Sequence, residues 1–405
     1  MSSSVETIRE KFPALSRTYL GHRVAYFDGP GGTQVPHTVV QAMSDYLLHH
    51  NANLGWGYPT SKESDEALAS ARGVIATFLN AEPDTVVFGN NMTTLTFHAA
   101  RALGREWAKG DEIIVTELDH HANVDPWRDV AKERGLTIRT VRMDPVSGGL
   151  RIDHLENLVG RRTKLIAVGA ASNALGTVTD IGRVCCIARS AGAVSFIDAV
   201  HSAPHILPNV SEVGCDFLAC SSYKFYGPHA GILFGRKELL ARLNVPRLEP
   251  APSTGPARME TGTQNHEGIV GARAAVEFLG SLSDGPHLRE KLHRTYTFLH
   301  ERAASLTALL WDGLAENDKI TLYGPSPGSA RTPTVSFTVR GLPAGEVSRR
   351  LARRGLFLSF GDFYAMTVVH RLGIEGLVRA GMACYSTVSE VHRLVRGVEE
   401  IASGA

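Results

Sequence analysis

Between residues 70 and 235, short apolar runs alternate with stretches whose apolar positions recur every three to four residues. The runs cover residues 85–88, 112–116, 138–141, 165–168, 194–197, 217–220 and 231–234. Each has the length of a strand, and several are apolar at nearly every position, as strands buried on both faces are. Helical periodicity fills residues 94–107, 125–134 and 181–190 between them. Such alternation predicts a mostly parallel sheet covered by helices on both faces.

The texture changes after residue 265. Long helical patterns over 268–282 and 286–313 precede strand-like runs at 334–339, 356–359 and 378–383, and a last helix at 390–401. The proline-containing stretch 324–328 reads as a surface loop. Near the start, Val5, Ile8, Phe12 and Leu15 fall at helical spacing. The expected organisation is a helical segment over 1–18 docked on the body, a large α/β domain over 19–285, and a smaller α+β domain over 286–405. At 405 residues, a division into more than one domain is the ordinary outcome.

Charge narrows the partners. Forty-two basic residues balance forty-one acidic ones, for a net charge of +1. That balance offers no bulk attraction to nucleic acid or to an anionic membrane. No run of apolar residues is long enough to span a bilayer, and the first fifteen residues lack the apolar core of a signal peptide. Cys185, Cys186, Cys215, Cys220 and Cys384 form no CxxC pair and mostly sit in apolar runs. They are expected to be free thiols in a reducing, cytoplasmic setting.

Four local patterns carry candidate chemistry. In Cys220-Ser221-Ser222-Tyr223-Lys224-Phe225-Tyr226-Gly227-Pro228 a lysine follows a strand among hydroxyls and rings. Burial there would lower its pKa and make the amine a nucleophile, with Ser221 and Tyr223 free to hold a phosphate. A plain loop lysine is the competing explanation. Asp198 ends the apolar run Phe196-Ile197, one strand–helix–strand excursion before Lys224. Ligands of open α/β sheets sit outside the carboxyl ends of strands, so both residues are expected at the same sheet end. Alone, Asp198 is equally a turn or cap residue.

Gly89-Asn90-Asn91-Met92-Thr93-Thr94 joins a strand to a helix, so Met92 and Thr93 lie where free N–H groups and the helix dipole favour a phosphate. A simple cap accounts for the threonines as well. Asp119-His120-His121-Ala122-Asn123 suggests a metal only superficially, because adjacent residues rarely converge on one ion. No metal is expected, and an imidazole stacked on a cofactor ring fits the rest. Gly29-Pro30-Gly31-Gly32 reads as a tight turn lining the site, with Gly31 beside the substrate.

Together these residues resemble the class V aminotransferase and cysteine desulfurase family, of pyridoxal-5′-phosphate (PLP) fold type I, from Tyr26-Phe27-Asp28 to the C-terminal helix. The resemblance implies that Lys224 forms the Schiff base and Asp198 faces the pyridine nitrogen. It implies that His120 stacks on the ring, that His201 replaces a glutamine contacting the ring oxygen, and that Thr93, Ser221 and Tyr223 hold the phosphate. Thr263 would reach the phosphate of a partner subunit, so a homodimer is implied. Asn173 and Arg379 match positions that bind the substrate carboxylate, for which a planar guanidinium is suited.

One departure bears on the reaction. Desulfurases carry a mobile-loop cysteine that accepts sulfur from the substrate; in Ser359-Phe360-Gly361-Asp362-Phe363-Tyr364-Ala365-Met366, Tyr364 takes that place. A phenol cannot accept sulfur, so a persulfide-forming desulfurase is not expected. The sequence is closer to the desulfurase-like branch that includes C–S lyases and natural-product tailoring enzymes. The reaction expected is Cα–H abstraction and β-elimination from cysteine or an S-substituted cysteine. An aminotransferase, an epimerase using Tyr364 or His120 as second acid, and a decarboxylating or oxidative enzyme are the alternatives. Trp56, Tyr58, Phe360, Phe363 and His229 are candidates for the side-chain pocket.

Overall fold

The computed structural model describes residues 3–404. Seven strands form the large sheet, in the order Val86–Gly89, Gly231–Gly235, Phe217–Ser221, Val194–Asp198, Thr163–Gly169, Glu112–Thr116 and Thr137–Val141. All run parallel except Gly231–Gly235, which is antiparallel to both neighbours. Every one of these strands falls within two residues of its predicted position.

The two-residue period explains why these runs are apolar throughout. Ile114, Ile166, Val168, Ile197, Leu218 and Ile232 face one buried cluster. Their neighbours Ile113, Val115, Leu165, Phe196, Phe217 and Leu233 face another. On the second side Trp127, from helix Asp125–Arg134, packs edge-on to Phe196 with centroids 5.1 Å apart. Burying aromatic and branched side chains on both faces makes the sheet the rigid platform of the molecule.

Two helices of the large domain, His37–Asp45 and Pro59–Leu79, lie outside the predicted elements. In the longer one, Ser61, Ser64 and Ala71 are buried together with Leu68, Ile75 and Phe78. Small residues in the core stripe hide its apolar period. At the other end, helix Leu288–Ala315 leads into a four-stranded antiparallel sheet in the order Ile320–Tyr323, Thr334–Val339, Leu377–Gly381 and Ser359–Gly361. The predicted strand at 356–359 is two strands: Ser359–Gly361 joins this sheet, whereas Leu356–Phe357 pairs in parallel with Ala25–Tyr26. Ala25 and Phe27 consequently share the core of the C-terminal sheet. The final helix is Val388–Ser403, closed at its start by a Thr387–Glu390 capping box. At the N-terminus, Val5–Glu10 is helical and Ile8, Phe12 and Leu15 are buried in the main core.

Candidate active site

Loops from the carboxyl ends of five parallel strands converge on one cavity of about 1020 Å³, which the C-terminal sheet closes from above. It is lined by every residue singled out in the sequence as a site residue except Thr263. Thr263 lies on an exposed loop before helix His266–Gly280 of its own chain, outside the cavity. Trp56 and Tyr58 are exposed as well and do not line it, whereas His229, Phe360 and Phe363 do.

Asp198 and Lys224 follow neighbouring parallel strands, Val194–Asp198 and Phe217–Ser221, which brings them to one sheet end. The Lys224 Nζ donates to the carbonyl oxygen of Pro30 and, at 3.1 Å, to that of Gly31. Burial, and then the nearby Arg379 guanidinium, lower its pKa to about 7 against the pull of Asp198 and Asp28. The buried Asp198 carboxyl accepts from Val200 N–H at 2.9 Å. Burial raises it to about 6, opposed by that bond and by Lys224. The turn role and the cavity role of Asp198 therefore coexist.

His120 Nδ1 accepts from Ala122 N–H at 2.9 Å, so the ring proton sits on Nε2. Burial, with Lys224, His121 and Arg379 adding positive charge, holds its pKa down to about 4. The imidazole is neutral at ordinary pH. His201 Nε2 bonds the hydroxyls of Thr332 and Thr334 at 3.0 and 3.1 Å, tying the large domain to the C-terminal sheet.

The helix Met92–Gly104 starts at the cavity, with Asn91 as its cap and Met92 N–H donating to Ser221 Oγ at 2.9 Å. Gly231 permits that close approach, since a Cβ there would stand 2.5 Å from the Asn91 carbonyl carbon. Thr93 stands in the first turn, where N–H groups have no intrahelical acceptor. Tyr223 lines the same wall, its ring stacked on His229 at 4.9 Å.

From the other domain, Arg379 enters on strand Leu377–Gly381. It donates to the Asn173 carbonyl at 2.8 Å and to Ser359 Oγ at 3.2 Å, and its guanidinium lies 3.9 Å from the Phe363 ring centroid. No ion pair neutralises it among the described residues, so it is not a structural salt bridge. Arg379 Nε and Asn173 Oδ1 are buried with no hydrogen-bond partner among the described residues. Unpaired groups of this kind are costly and mark a place built for something else. A Cβ on Gly31 would crowd the Asp28 carbonyl oxygen at 3.2 Å and stand in ordinary contact with Arg379 Nη2 at 3.8 Å.

Asp119 received no role from its sequence context. It is buried in the cavity wall, accepting from Gly169 N–H at 2.8 Å and Asn123 Nδ2 at 3.0 Å. Burial, with Asp198 adding to it, pushes its pKa up to about 7 despite those bonds. A carboxyl raised in the folded state binds more protons there, so stability falls as pH rises through 7. Asp198, whose pKa is also raised, adds to that fall below 7, and Lys224, whose pKa is lowered, reverses it above 7, so the wild-type profile does not isolate Asp119. The difference between Asp119→Asn and wild type isolates it. In cofactor-free protein the variant should gain about 2 kcal/mol on wild type between about pH 5 and about pH 7. Urea unfolding at the two pH values checks this, and parallel profiles refute it.

Of the cysteines, Cys186 is exposed and the other four are buried; none lines the cavity. Among the described residues no three His, Cys, Asp or Glu side chains group to hold a metal ion, and no helix is long and apolar enough to cross a membrane.

A helix N-terminus with hydroxyls, a buried carboxylate, a flat neutral imidazole and a lysine amine of lowered pKa suit a phosphorylated pyridine aldehyde. The unpaired Arg379 Nε donor suits the carboxylate of an amino acid beside it, and the unpaired Asn173 Oδ1 offers an acceptor next to it. Comparisons with known proteins agree. The sequence profile of the class V aminotransferases matches residues 25–394. A cysteine desulfurase of Pectobacterium atrosepticum is 31% identical, the match covering 99% of this chain and 98% of that one. The apo structure of a cysteine desulfurase from Thermococcus onnurineus superposes with a TM-score of 0.90 at 28% identity, over 100% of both chains. A cysteine desulfurase of Escherichia coli gives 0.86 at 26% identity, over 99% of this chain and 98% of that one. The chain thus belongs to the class V aminotransferase family, with the fold type I architecture of the cysteine desulfurases and their dependence on pyridoxal 5′-phosphate.

Proposed function

We propose that the chain is a C–S β-lyase acting on cysteine or an S-substituted cysteine, and not a persulfide-forming desulfurase. The observation that carries this reading is the content of the cavity: Tyr364 at the loop position, and no thiol anywhere in the lining. The nearest candidates are shut away. Burial pushes the Cys384 thiol up to about 12 and Cys220 higher still, so neither offers a thiolate.

Bound PLP supplies an electron sink that acidifies the substrate Cα–H bond. The protein's part follows from the residues in place. Arg379 would hold the carboxylate through its free Nε, joined by Asn173 once its amide turns Nδ2 from the Phe363 carbonyl, and the Cα–H bond would then face Lys224. The Lys224 amine, with its pKa lowered to about 7 and so available in its uncharged form near neutral pH, accepts that proton. The Cβ–S bond then breaks with its electron pair going to sulfur. A thiol leaves, and the remaining aminoacrylate hydrolyses to pyruvate and ammonia. No sulfur acceptor is required. Asp198 holds the pyridine nitrogen, His120 covers the ring, and Thr93, Ser221 and Tyr223 hold the phosphate together with the Met92 helix start. Thr263, exposed in its own chain, completes the phosphate site of the second subunit in a homodimer.

The names of the relatives favour a second reading, sulfur transfer to the protein. The products separate the two. Incubation with cysteine and its S-conjugates should yield pyruvate, ammonia and free thiol or sulfide; alanine with a protein-bound persulfide would overturn the proposal. Asp198→Asn should lower kcat by about 10²-fold, the scale set by losing one partner of a buried ion pair. KM should move little, because Asp198 does not touch substrate. Steady-state pyruvate assays read both, and an unchanged kcat would remove Asp198 from its role.

A further inference from the structure

The cavity is larger than a cofactor and cysteine need. Sites for drug-sized ligands span roughly 300–1,000 Å³, and this one reaches about 1020 Å³. Aromatic side chains stand among its polar walls. Phe97, Tyr223, Phe360, Phe363 and Tyr364 all line it. Two of those rings face solvent at the rim: Phe360 is 51% exposed and Tyr364 is 73% exposed. Exposed large apolar side chains gathered at the edge of a cavity mark a surface that a ligand or the second subunit covers.

The rim is held in place. Phe363 and Tyr364 both adopt left-handed backbone, with φ of 56° and 57°, which costs bulky residues about 1–2 kcal/mol each. Specific contacts sustain it. Asn173 Nδ2 donates to the Phe363 carbonyl at 2.9 Å, His121 N–H donates to the Tyr364 carbonyl at 2.7 Å, and the Tyr364 ring stacks on His120 at 5.4 Å. Phe360 lies against Gly345, where a Cβ would approach its ring to 2.9 Å. Backbone strain persists where surrounding structure over-determines it, commonly at ligand clamps.

Charge in the lining points the same way. Lys224 and Arg379 are the only lysine or arginine among the described lining residues. Both are committed to cofactor and α-carboxylate. Asp125 is engaged by His121 at 2.9 Å and Arg128 at 3.3 Å, and Asp362 accepts from Tyr364 N–H at 2.9 Å. An anionic substrate side chain has no fixed partner left.

We infer that the site selects amino acids with a large, apolar side chain, an S-aryl or S-alkyl cysteine conjugate in preference to free cysteine. The inference rests on the reading of the cavity as an amino-acid site beside Lys224, and it is tested without any C–S cleavage. In holoenzyme, L-homophenylalanine, L-glutamate and L-alanine are titrated against the absorbance of the bound cofactor. Homophenylalanine should bind at least about tenfold more tightly than alanine, as burial of one ring implies, and glutamate should gain nothing. Phe360→Ala should bring the homophenylalanine preference to within about threefold. Equal binding of homophenylalanine and alanine would overturn the inference, as would tight glutamate binding or a preference that survives Phe360→Ala. A spectrum that responds to no amino acid would overturn both this inference and the reading beneath it. Pyruvate release from S-benzyl-L-cysteine is measured separately: its absence, with homophenylalanine still preferred, removes the lyase and leaves the pocket.

Discussion

Replacing Lys224 with alanine should lower pyruvate release by about 10⁴-fold, the upper range for loss of a positioned base. The amine is also the group that borohydride should fix to the cofactor. Wild-type protein treated with borohydride should carry the cofactor on the peptide that contains Lys224, and Lys224→Ala should carry none. Lys224 is half-buried and the Gly31 carbonyl that it bonds is exposed, so truncation should change stability little. An unaltered melting temperature with lost activity would assign the effect to chemistry. Turnover within tenfold of wild type would remove Lys224 from the centre of the mechanism, whatever the fold.

Arg379→Ala should lower kcat/KM by about 10³-fold, mostly through KM, because it removes the bidentate partner of the substrate carboxylate. Arg379→Lys should recover less than a tenth of the loss, since a point charge cannot reproduce the fork. The comparison matters because Arg379 also donates to the Asn173 carbonyl and to Ser359 Oγ, so the alanine variant disturbs structure as well. Binding of an amine that lacks a carboxylate, followed by cofactor absorbance, supplies the control. Wild type and both variants should bind it equally if Arg379 serves the carboxylate. A parallel loss for the amine would assign Arg379 to support of the loop at Phe363.

The large sheet was legible because its strands are buried on both sides, which writes an uninterrupted apolar run for each of them. Position at the carboxyl ends of neighbouring strands brings Asp198 and Lys224 together, and the sequence spacing alone predicts it. Helix Pro59–Leu79 was hidden because its buried stripe is built of serine and alanine as well as leucine and isoleucine. The division of 356–361 into two strands was hidden because the partner of Leu356–Phe357 is the remote segment Ala25–Tyr26. Asp119 left no trace either: its pKa is raised by burial and then by Asp198, against the Gly169 and Asn123 bonds, and these groups converge only in space. Tyr364 was legible by position, but its stacking on His120 and its left-handed backbone belong to the folded loop.

The pairing of Ala25–Tyr26 with Leu356–Phe357, and the bridge from Asp28 to Gly381, set an order of events during synthesis. Residues 25–28 leave the ribosome early, yet their neighbours emerge when nearly the whole polypeptide has been made. Domains that complete as they are translated cannot include this one. The turn at Pro30 and Gly31, which touches Lys224 on one side and approaches Arg379 on the other, is anchored through that late closure. A nascent or prematurely terminated chain can therefore assemble the sheet and its lysine while lacking the clamp that receives an amino acid.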